Sequence, residues 1–156
     1  MELRIKKAHP NAIIPTRKKA GDSGLDLHAF IPDPYPDDSI FIPPGGRERI
    51  RTGIAIELPA LDDFGGTVWG YEAQVRPRSG LAHDHGVQAC LGTVDNGYRG
   101  EIWVNLFNLS FQGFWVRNGD RIAQLVIVPV VLPAVVEVQE LSETERGADG
   151  FGSTGV

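Results

Sequence analysis

The sequence has little cysteine and no long apolar run. Cys90 is the one cysteine among 156 residues, so an intramolecular disulfide is excluded and a secreted, disulfide-stapled scaffold is not favoured. The longest apolar tract, residues 125–136, is broken by Pro129 and Pro133 and is too short to span a bilayer. Residues 1–7 have no apolar core like that of a signal peptide. We therefore expect a cytoplasmic protein with no membrane partner.

The sequence also has no excess of positive charge. Its formal net charge is -5, with 15 Lys and Arg against 20 Asp and Glu, and the two signs are interspersed along the chain. Such a chain does not attract nucleic acid in general, so we expect no nucleic-acid partner. A polyanionic ligand would need a local cluster of cations.

Many short apolar runs, separated by 19 glycines and 11 prolines, indicate one all-β sandwich or barrel domain. Residues 79–86 are the helical candidate, with Ser79 as N-cap and Gly86 at the C-terminal end. Residues 60–70 are predicted to form a long hairpin loop, and a mobile arm over residues 141–156 is predicted to follow a domain of residues 1–140. Strands are predicted at residues 3–5, 24–30, 47–58, 71–76, 111–116, 121–128 and 130–138, and residues 31–44 are predicted to form a proline-rich connection around residues 40–42.

Asn96-Gly97 lies between two runs rich in β-branched and aromatic residues and predicts a hairpin with a type I′ turn. In a two-residue loop the flanking residues, Asp95 and Tyr98, lie opposite each other and project from the same face. Gly100 would lie on that face and leave space for a ligand. The face could be half of a binding slot, although Asp is common in turns and Tyr is common in strands.

Other stretches carry groups that could bind an anion or a metal. Residues 76–80 combine two arginines, a hydroxyl and a helix N-terminus, which suit an anion, although a capped helix with solvated arginines would have the same sequence. Asp26 lies between two leucines in a strand, so its carboxylate needs a hydrogen-bond partner, a metal or water. His83 and His85 lack i, i+4 spacing, so we interpret them as solvated side chains, and Cys90 as a packing residue.

Two further stretches lie nearer the C-terminus. Arg121 and Gln124 stand at the start of a strand after a turn, which turn chemistry alone would explain. Residues 146–155 combine glycines with Arg146, which can pair with phosphates, and Phe151, which can stack on a planar base. A flexible tail without a ligand could have the same composition.

Taken together and in this order, these stretches resemble the five motifs of the trimeric dUTPases, the dUTP nucleotidohydrolases. The five segments are residues 20–29, 76–82, 92–101, 118–125 and 146–155, which span nearly the whole chain. The resemblance implies a distorted jelly-roll β-barrel that forms a homotrimer with three active sites shared between subunits. It also implies hydrolysis of dUTP to dUMP and pyrophosphate, with Mg²⁺ as the cofactor.

The resemblance implies a role for each candidate residue. Asp95 would activate the water that attacks the α-phosphate, and Tyr98 would pack beneath the deoxyribose and exclude a 2′-hydroxyl. Asp26 would lie near Mg²⁺, through water. The residues that would bind substrate are Arg78, Ser79 and Gly80 at the phosphates, Gln124 near the α-phosphate, Arg146 over the triphosphate, and Phe151, Gly152 and Ser153 in the arm, with Phe151 stacked on uracil.

The chain departs from the family pattern in three places. Asp149 replaces a usual glycine, Ala89 stands where some relatives have an asparagine that contacts uracil, and residues 60–70 resemble an insertion. Two alternatives remain open. The related dCTP deaminases usually have Trp at the position of Tyr98 and lack the complete arm. The chain could instead be a nucleotide-sensing protein that binds a protein partner through residues 60–70, which include Trp69.

Overall fold

The computed structural model describes residues 2–33, 35–64 and 67–148. Within these ranges the chain forms strands, one α-helix (α1, Ser79–His85) and a 3-10 turn (Pro36–Asp38). The strands are β1 (Arg4–Lys7), β2 (Leu25–His28), β3 (Ser39–Ile42), β4 (Arg47–Arg51), β5 (Ile54–Glu57), β6 (Asp62–Phe64), β7 (Thr67–Arg76), β8 (Val87–Ala89), β9 (Gly92–Val94), β10 (Trp103–Asn108), β11 (Phe114–Arg117) and β12 (Arg121–Leu132). The prediction of an all-β fold with one short helix is confirmed.

Antiparallel sheets enclose the core. The largest has the order β2-β12-β7-β6, and β9 also pairs with β7. Smaller sheets are β4-β10-β8, β1-β5 and β11-β3. Strands of different sheets contribute fully buried side chains to one apolar core, among them Leu27, Ile50, Ile54, Val104 and Leu125.

Strand alternation gives the largest sheet a polar outer surface at one end. In β2, Leu25 and Leu27 are buried, whereas Asp26 and His28 are partly exposed. Successive side chains of a strand point to opposite faces, so the two leucines fill the core while the carboxylate and the imidazole face outward.

Two predicted elements over residues 47–70 are wrong in detail. The single strand predicted at 47–58 is divided into β4 and β5 by Gly53, whose φ of 67° is a conformation that favours glycine. The loop predicted at 60–70 is instead a strand pairing, in which Asp62 of β6 lies opposite Trp69 of β7. The strand predicted to begin at Tyr71 therefore begins at Thr67.

Strand β12 continues through Pro129 without a break. Beyond Leu125 only one edge of β12 is paired in the described structure, with β7, so a proline can be accommodated there without losing a bond on a second edge. The strand ends at Leu132, so the strand predicted to reach residue 138 is too long. Residues 133–148 form no helix or strand and are exposed. Over the described ranges, no helix is long and apolar enough to cross a membrane.

Candidate active site

Three neighbouring strands bring the first, second and fourth motif segments together. Asp26 of β2 lies opposite Gln124 of β12, and Gln124 lies opposite Arg76 of β7. Arg78 and Ser79 follow directly after β7, where α1 begins. An open cleft of about 430 Å³ lies at this end of the sheet, and we call it the cationic cleft.

Positive charge predominates in the cationic cleft. Two carboxylates, Asp22 and Asp26, face four cations, which are Lys18, Arg76, Arg78 and Arg121. The other polar or small lining residues are Ser23, Gly24, Ser79, Gly80 and Gln124. On a chain with a net charge of -5, this is the local cluster that a polyanionic ligand requires.

Asp26 lies between two arginines. Nε of Arg78 is 3.2 Å from Oδ1 of Asp26, and Nη1 of Arg121 is 3.2 Å from Oδ2. Arg78 also donates from Nη1 to the backbone carbonyl of Arg121 at 3.0 Å. The partner that the Asp26 carboxylate needs is therefore supplied, in this chain, by two ion pairs.

Among the residues that line the cationic cleft without a role in the sequence-based prediction are two cations, Arg121 and Lys18. In a regular strand, residues 121 and 124 would point to opposite faces. The register of β12 against β2 shifts between Arg121 and Ala123, and this irregularity lets Arg121 and Gln124 line the same cleft. Lys18 lies in a basic loop before β2, where no periodic pattern marks which side chain faces the site.

Gly24 allows Gln124 to lie close to the first motif segment. A Cβ atom at position 24 would overlap the Gln124 side chain and would be 3.0 Å from both its Cβ and its Cδ. Nε2 of Gln124 donates to the backbone carbonyl of Pro77 at 2.9 Å. Gln124 thus links β2 to the segment that carries Arg78.

Helix α1 begins one residue earlier than its predicted cap requires, at Ser79. Arg78 occupies the N-cap position, with an extended backbone (φ -96°, ψ 127°) and no capping hydrogen bond from its side chain. The assignment of Ser79 as N-cap is therefore wrong, and the Arg78 guanidinium pairs with Asp26 instead. Gly86 ends the helix in the left-handed conformation (φ 64°), which confirms the predicted C-terminal glycine.

A second open cleft, of about 380 Å³, contains Asp95 and Tyr98, and we call it the Asp95 cleft. Residues of β9 and Trp103 also line it. Asp95 is exposed and Tyr98 is 46% exposed. Among the described residues the Asp95 carboxylate has no hydrogen-bond or ion-pair partner, so it can hold a water molecule.

Asp95 and Tyr98 are joined by a tight turn, in which the Tyr98 N–H donates to the Asp95 carbonyl at 3.0 Å. The turn is not of type I′, because neither Asn96 nor Gly97 has a positive φ. The predicted hairpin pairing is also wrong, since β9 pairs with β7 and Val94 lies opposite Ala73. The expected turn and the shared position of Asp95 and Tyr98 are nevertheless present.

The space expected beside Gly100 is filled by Tyr98. A methyl group at position 100 would overlap the phenol ring, because that ring lies directly over the glycine. The Tyr98 hydroxyl donates to the backbone carbonyl of Glu101 at 3.0 Å. Glycine at this position therefore accommodates the aromatic ring, not a ligand.

One chain does not bring Asp95 and Arg78 together. The two clefts share no lining residue. Since Val94 lies opposite Ala73, Asp95 stands level with Glu72, and Arg76 is four strand positions further along β7. At about 3.3 Å per residue this is a separation of about 13 Å along the strand, and Arg78 lies beyond it.

His28 lies two residues from Asp26 on the same face of β2. Burial lowers the pKa of His28 below its ordinary value of 6.5, with the charges of Arg121 and Arg78 acting in the same direction and Asp26 opposing them. Its Nδ1 atom is buried without a hydrogen-bond partner in the described part of the chain. The neutral imidazole is therefore favoured.

The remaining candidates have different outcomes. Arg146 is exposed and does not line either cleft. Phe151, Gly152 and Ser153 lie outside the described residues, as does Asp149.

Other predicted residues lie away from both clefts. Cys90 is exposed, so its interpretation as a packing residue is wrong. His85 contacts the Phe114 ring, with 5.3 Å between ring centroids. No group of three or more His, Cys, Asp or Glu side chains within the described ranges could hold a metal ion by itself.

A family model described as dUTPase matches residues 10–155. The chain belongs to the dUTPase family. It is 46% identical to the deoxyuridine 5'-triphosphate nucleotidohydrolase of Nautilia profundicola, over 99% of each chain. It is 48% identical to the protein of the same name from Hydrogenobaculum sp., over 100% of this chain and 99% of the relative.

Solved structures agree with this assignment. The dUTPase of Staphylococcus bacteriophage 80alpha, solved with dUPNHPP, is similar over 99% of each chain, with a TM-score of 0.82 and 27% identity. The predicted family and the dUTPase-like β fold are confirmed for this dUTPase-family chain.

Proposed function

We propose that the protein hydrolyses dUTP to dUMP and pyrophosphate. The observation that carries the proposal is the presence of a cationic cleft suited to a triphosphate and a separate cleft that an exposed carboxylate, Asp95, and a phenol, Tyr98, line together. Relatives named deoxyuridine 5'-triphosphate nucleotidohydrolase support the same substrate. The test is pyrophosphate release from dUTP, compared with release from dCTP, dTTP and UTP.

Asp95 acts in this proposal as the base that holds and deprotonates the attacking water. The water oxygen forms a bond to the α-phosphorus while the bond from that phosphorus to the oxygen bridging to the β-phosphorus breaks. The proton passes to the Asp95 carboxylate, and pyrophosphate leaves. An exposed carboxylate that has no partner within the described part of the chain suits this task, because most of the effect comes from fixing the water in line with the leaving group.

The cationic cleft binds the triphosphate. Arg78, Ser79 and Gly80 contact the phosphates, and Gln124 contacts the α-phosphate region. Arg78 and Arg121 place guanidinium groups on the two sides of Asp26, and guanidinium N–H groups form charge-assisted hydrogen bonds to phosphate oxygens. These donors stabilise the negative charge on the leaving pyrophosphate.

Although Asp26 forms ion pairs with Arg78 and Arg121 in this chain, its carboxylate lies in the cleft with the phosphate-binding side chains, where it could bind a Mg²⁺ ion that is shared with the substrate. Asp26 would hold the ion, through water, and phosphate oxygens would supply direct ligands. Mg²⁺ is commonly bound in this way, by one or two carboxylates together with substrate phosphates. When bound, the ion neutralises phosphate charge.

The Asp95 cleft binds deoxyuridine. Tyr98 packs beneath the deoxyribose and leaves no room for a 2′-hydroxyl. Backbone groups of residues 92–98 recognise uracil. The tight turn supports this role, because it fixes Tyr98 relative to Asp95. Asn96 holds the turn in place by donating from Nδ2 to the Pro59 carbonyl at 2.8 Å.

A homotrimer completes each site by placing one chain's cationic cleft next to another chain's Asp95 cleft. Asp95 and the arginines of the cationic cleft must act on one triphosphate. The separation of about 13 Å along β7 between Arg76 and the position of Asp95 in one chain therefore supports a site shared between chains. An exposed apolar segment also supports assembly, since Val135, Val136 and Leu141 are 98%, 74% and 87% exposed.

Residues 141–156 act as an arm that closes over a site after the domain of residues 1–140. Arg146 pairs with the triphosphate, Gly152 and Ser153 contact it, and Phe151 stacks on uracil. The glycine-rich composition of this segment supports the role, because glycine lets a backbone approach phosphates closely.

A second candidate function is protein binding through the β6–β7 hairpin, residues 60–70. Leu61 and Trp69 are each 47% exposed there, which favours a docking surface. Deleting this hairpin should spare dUTP hydrolysis and abolish the interaction in a pull-down. Loss of the trimer upon deletion would instead indicate a structural role.

A further inference from the structure

The side chain of Glu101 is anchored to strand β4. Arg51 donates from Nε to Oε1 and Oε2 of Glu101 at 3.2 and 3.1 Å, and from Nη2 to Oε2 at 2.6 Å. The Gly53 backbone N–H donates to Oε1 at 2.8 Å. The two side chains are 12% and 27% exposed, for Glu101 and Arg51 respectively, so this ion pair is largely shielded from water. Shielding makes a hydrogen-bonded ion pair stronger than one on an open surface.

Arg51 makes several contacts besides the one with Glu101. Its guanidinium carbon lies 5.4 Å from the centre of the Trp103 ring and 5.7 Å from the centre of the Phe30 ring. Nη2 also contacts Nε2 of His9, and the His9 ring stacks on Phe30 with 4.6 Å between centroids. The hydrogen bonds that Arg51 donates to the Glu101 carboxylate raise the pKa of Arg51. These contacts restrain Arg51, and Arg51 in turn positions the Glu101 side chain.

Glu101 in turn contacts Tyr98. The Tyr98 hydroxyl donates to the Glu101 backbone carbonyl at 3.0 Å, and the phenol ring lies over Gly100, which has no side chain to displace it. Tyr98 is otherwise 46% exposed, so this hydrogen bond and the ring contact with Gly100 determine where the ring lies. Displacement of residue 101 would therefore move the ring.

We propose that the Arg51–Glu101 pair positions Tyr98 and thereby determines how strongly the enzyme prefers a deoxyribose to a ribose. Arg51 and Glu101 act as positioning residues: Arg51 does not line the Asp95 cleft, and Glu101, which does, acts through its backbone contact with Tyr98. The inference rests on the proposed function, in which Tyr98 lies beneath the sugar of dUTP. It adds two residues, Arg51 and Glu101, to those that determine substrate specificity.

A purely structural cross-link would make the same contacts but would have different consequences. Weakening such a link would lower stability and reduce kcat/KM for dUTP and UTP by a similar factor. Moving Tyr98 would instead relax the exclusion of the 2′-hydroxyl, so the ratio of the two kcat/KM values would fall. The experiment therefore measures the ratio of kcat/KM for dUTP to kcat/KM for UTP.

The experiment measures kcat/KM for dUTP and for UTP in the full-length protein and in variants. Glu101→Gln removes the charge but keeps the shape, and Arg51→Lys keeps the charge but removes the forked hydrogen bonds. Glu57→Gln is the matched control, because Glu57 forms an exposed ion pair with Arg4 at 3.1 Å that lies away from both clefts. Size-exclusion chromatography and thermal unfolding verify that each variant has the wild-type oligomeric state and fold.

We expect the dUTP-to-UTP ratio to fall about tenfold in Glu101→Gln, the effect of losing one charge-assisted hydrogen bond, and to fall by a smaller factor in Arg51→Lys. Glu57→Gln should keep the wild-type ratio. If Glu101→Gln fails to fold, Arg51→Lys carries the test. An unchanged ratio in every folded variant of the pair would overturn the inference.

A double-mutant cycle shows whether Glu101 acts through Tyr98. Tyr98→Phe removes the hydroxyl that contacts residue 101. If the pair works through Tyr98, Glu101→Gln should have less effect on the ratio in the Tyr98→Phe background than in the wild type. Equal effects in both backgrounds would contradict the mechanism. A wild-type protein that releases no pyrophosphate from dUTP would instead refute the proposed function itself.

Discussion

Two variants that are each inactive should restore hydrolysis when they share an oligomer. Arg78→Ala removes a guanidinium from the cationic cleft and leaves the Asp95 cleft intact, whereas Asp95→Asn does the reverse. Each change removes a group that interacts with the reacting phosphates or the water, so each should slow hydrolysis by about a hundredfold or more. If complete sites form between chains, a mixed oligomer contains sites with both groups.

The expected turnover of the mixed oligomer follows from the arrangement of the clefts. Asp95 stands about 13 Å along β7 from Arg76, and in the proposed trimer each site would take its cationic cleft from one chain and its Asp95 cleft from the next. In a cyclic trimer with both variants, only one of the three junctions joins an intact cationic cleft to an intact Asp95 cleft, whichever variant is present twice. The mixed trimer should therefore have about one third of wild-type turnover.

The assay co-expresses the two variants with different affinity tags, isolates oligomers that carry both tags, and measures pyrophosphate release from dUTP. Each variant paired with a differently tagged copy of itself is the control and should stay inactive. Recovery to about one third supports a shared site in a trimer. Mixed oligomers that are as inactive as the two parents would refute the reasoning and would place the whole site in one chain.

Three further predictions concern single features. Gly24→Ala should lower the free energy of unfolding by about 1–3 kcal/mol, because the added methyl group overlaps the Gln124 side chain, and it should also slow hydrolysis. Denaturant unfolding and turnover assays measure the two effects. Gly21→Ala is the control in both, because a methyl group added there meets nothing within 4 Å. Removing residues 146–156 should leave a folded trimer by size-exclusion chromatography and light scattering but severely reduce hydrolysis, and full activity would exclude a role for the arm. Because burial lowers the pKa of His28, the unfolded chain binds a proton more readily than the folded chain, and the free energy of unfolding should fall as the pH drops below about 6.5. Urea unfolding at several pH values should show this fall in the wild type and a weaker pH dependence in His28→Gln. Equal pH dependence in both proteins would contradict this account.

Residues with a strong local pattern were predictable from the sequence. The alternation of leucines with Asp26 and His28 correctly indicated a strand with one buried face. Gly86 correctly marked the end of α1, because a left-handed residue commonly follows a helix. The ordered motifs allowed the family to be predicted, although no single motif would have sufficed.

Features that depend on tertiary contacts were not predictable. Asn96-Gly97 favours a type I′ turn locally, but β9 pairs with β7, and the Asn96 side chain bonds to the Pro59 carbonyl instead of facing solvent. The irregularity in β12 that turns Arg121 toward the cationic cleft has no sequence signal of its own. The same is true of the Arg51–Glu101 pair, which joins residues 50 positions apart.

The measurement that tests the central claim most directly is pyrophosphate release from dUTP, dCTP, dTTP and UTP with Mg²⁺ present, by the wild type and by Asp95→Asn. We expect the wild type to release pyrophosphate from dUTP in strong preference to the other three nucleotides. Asp95→Asn should bind dUTP but lose turnover. Comparable release from all four nucleotides, conversion of dCTP to dUTP or dUMP, or undiminished turnover in Asp95→Asn would contradict the account.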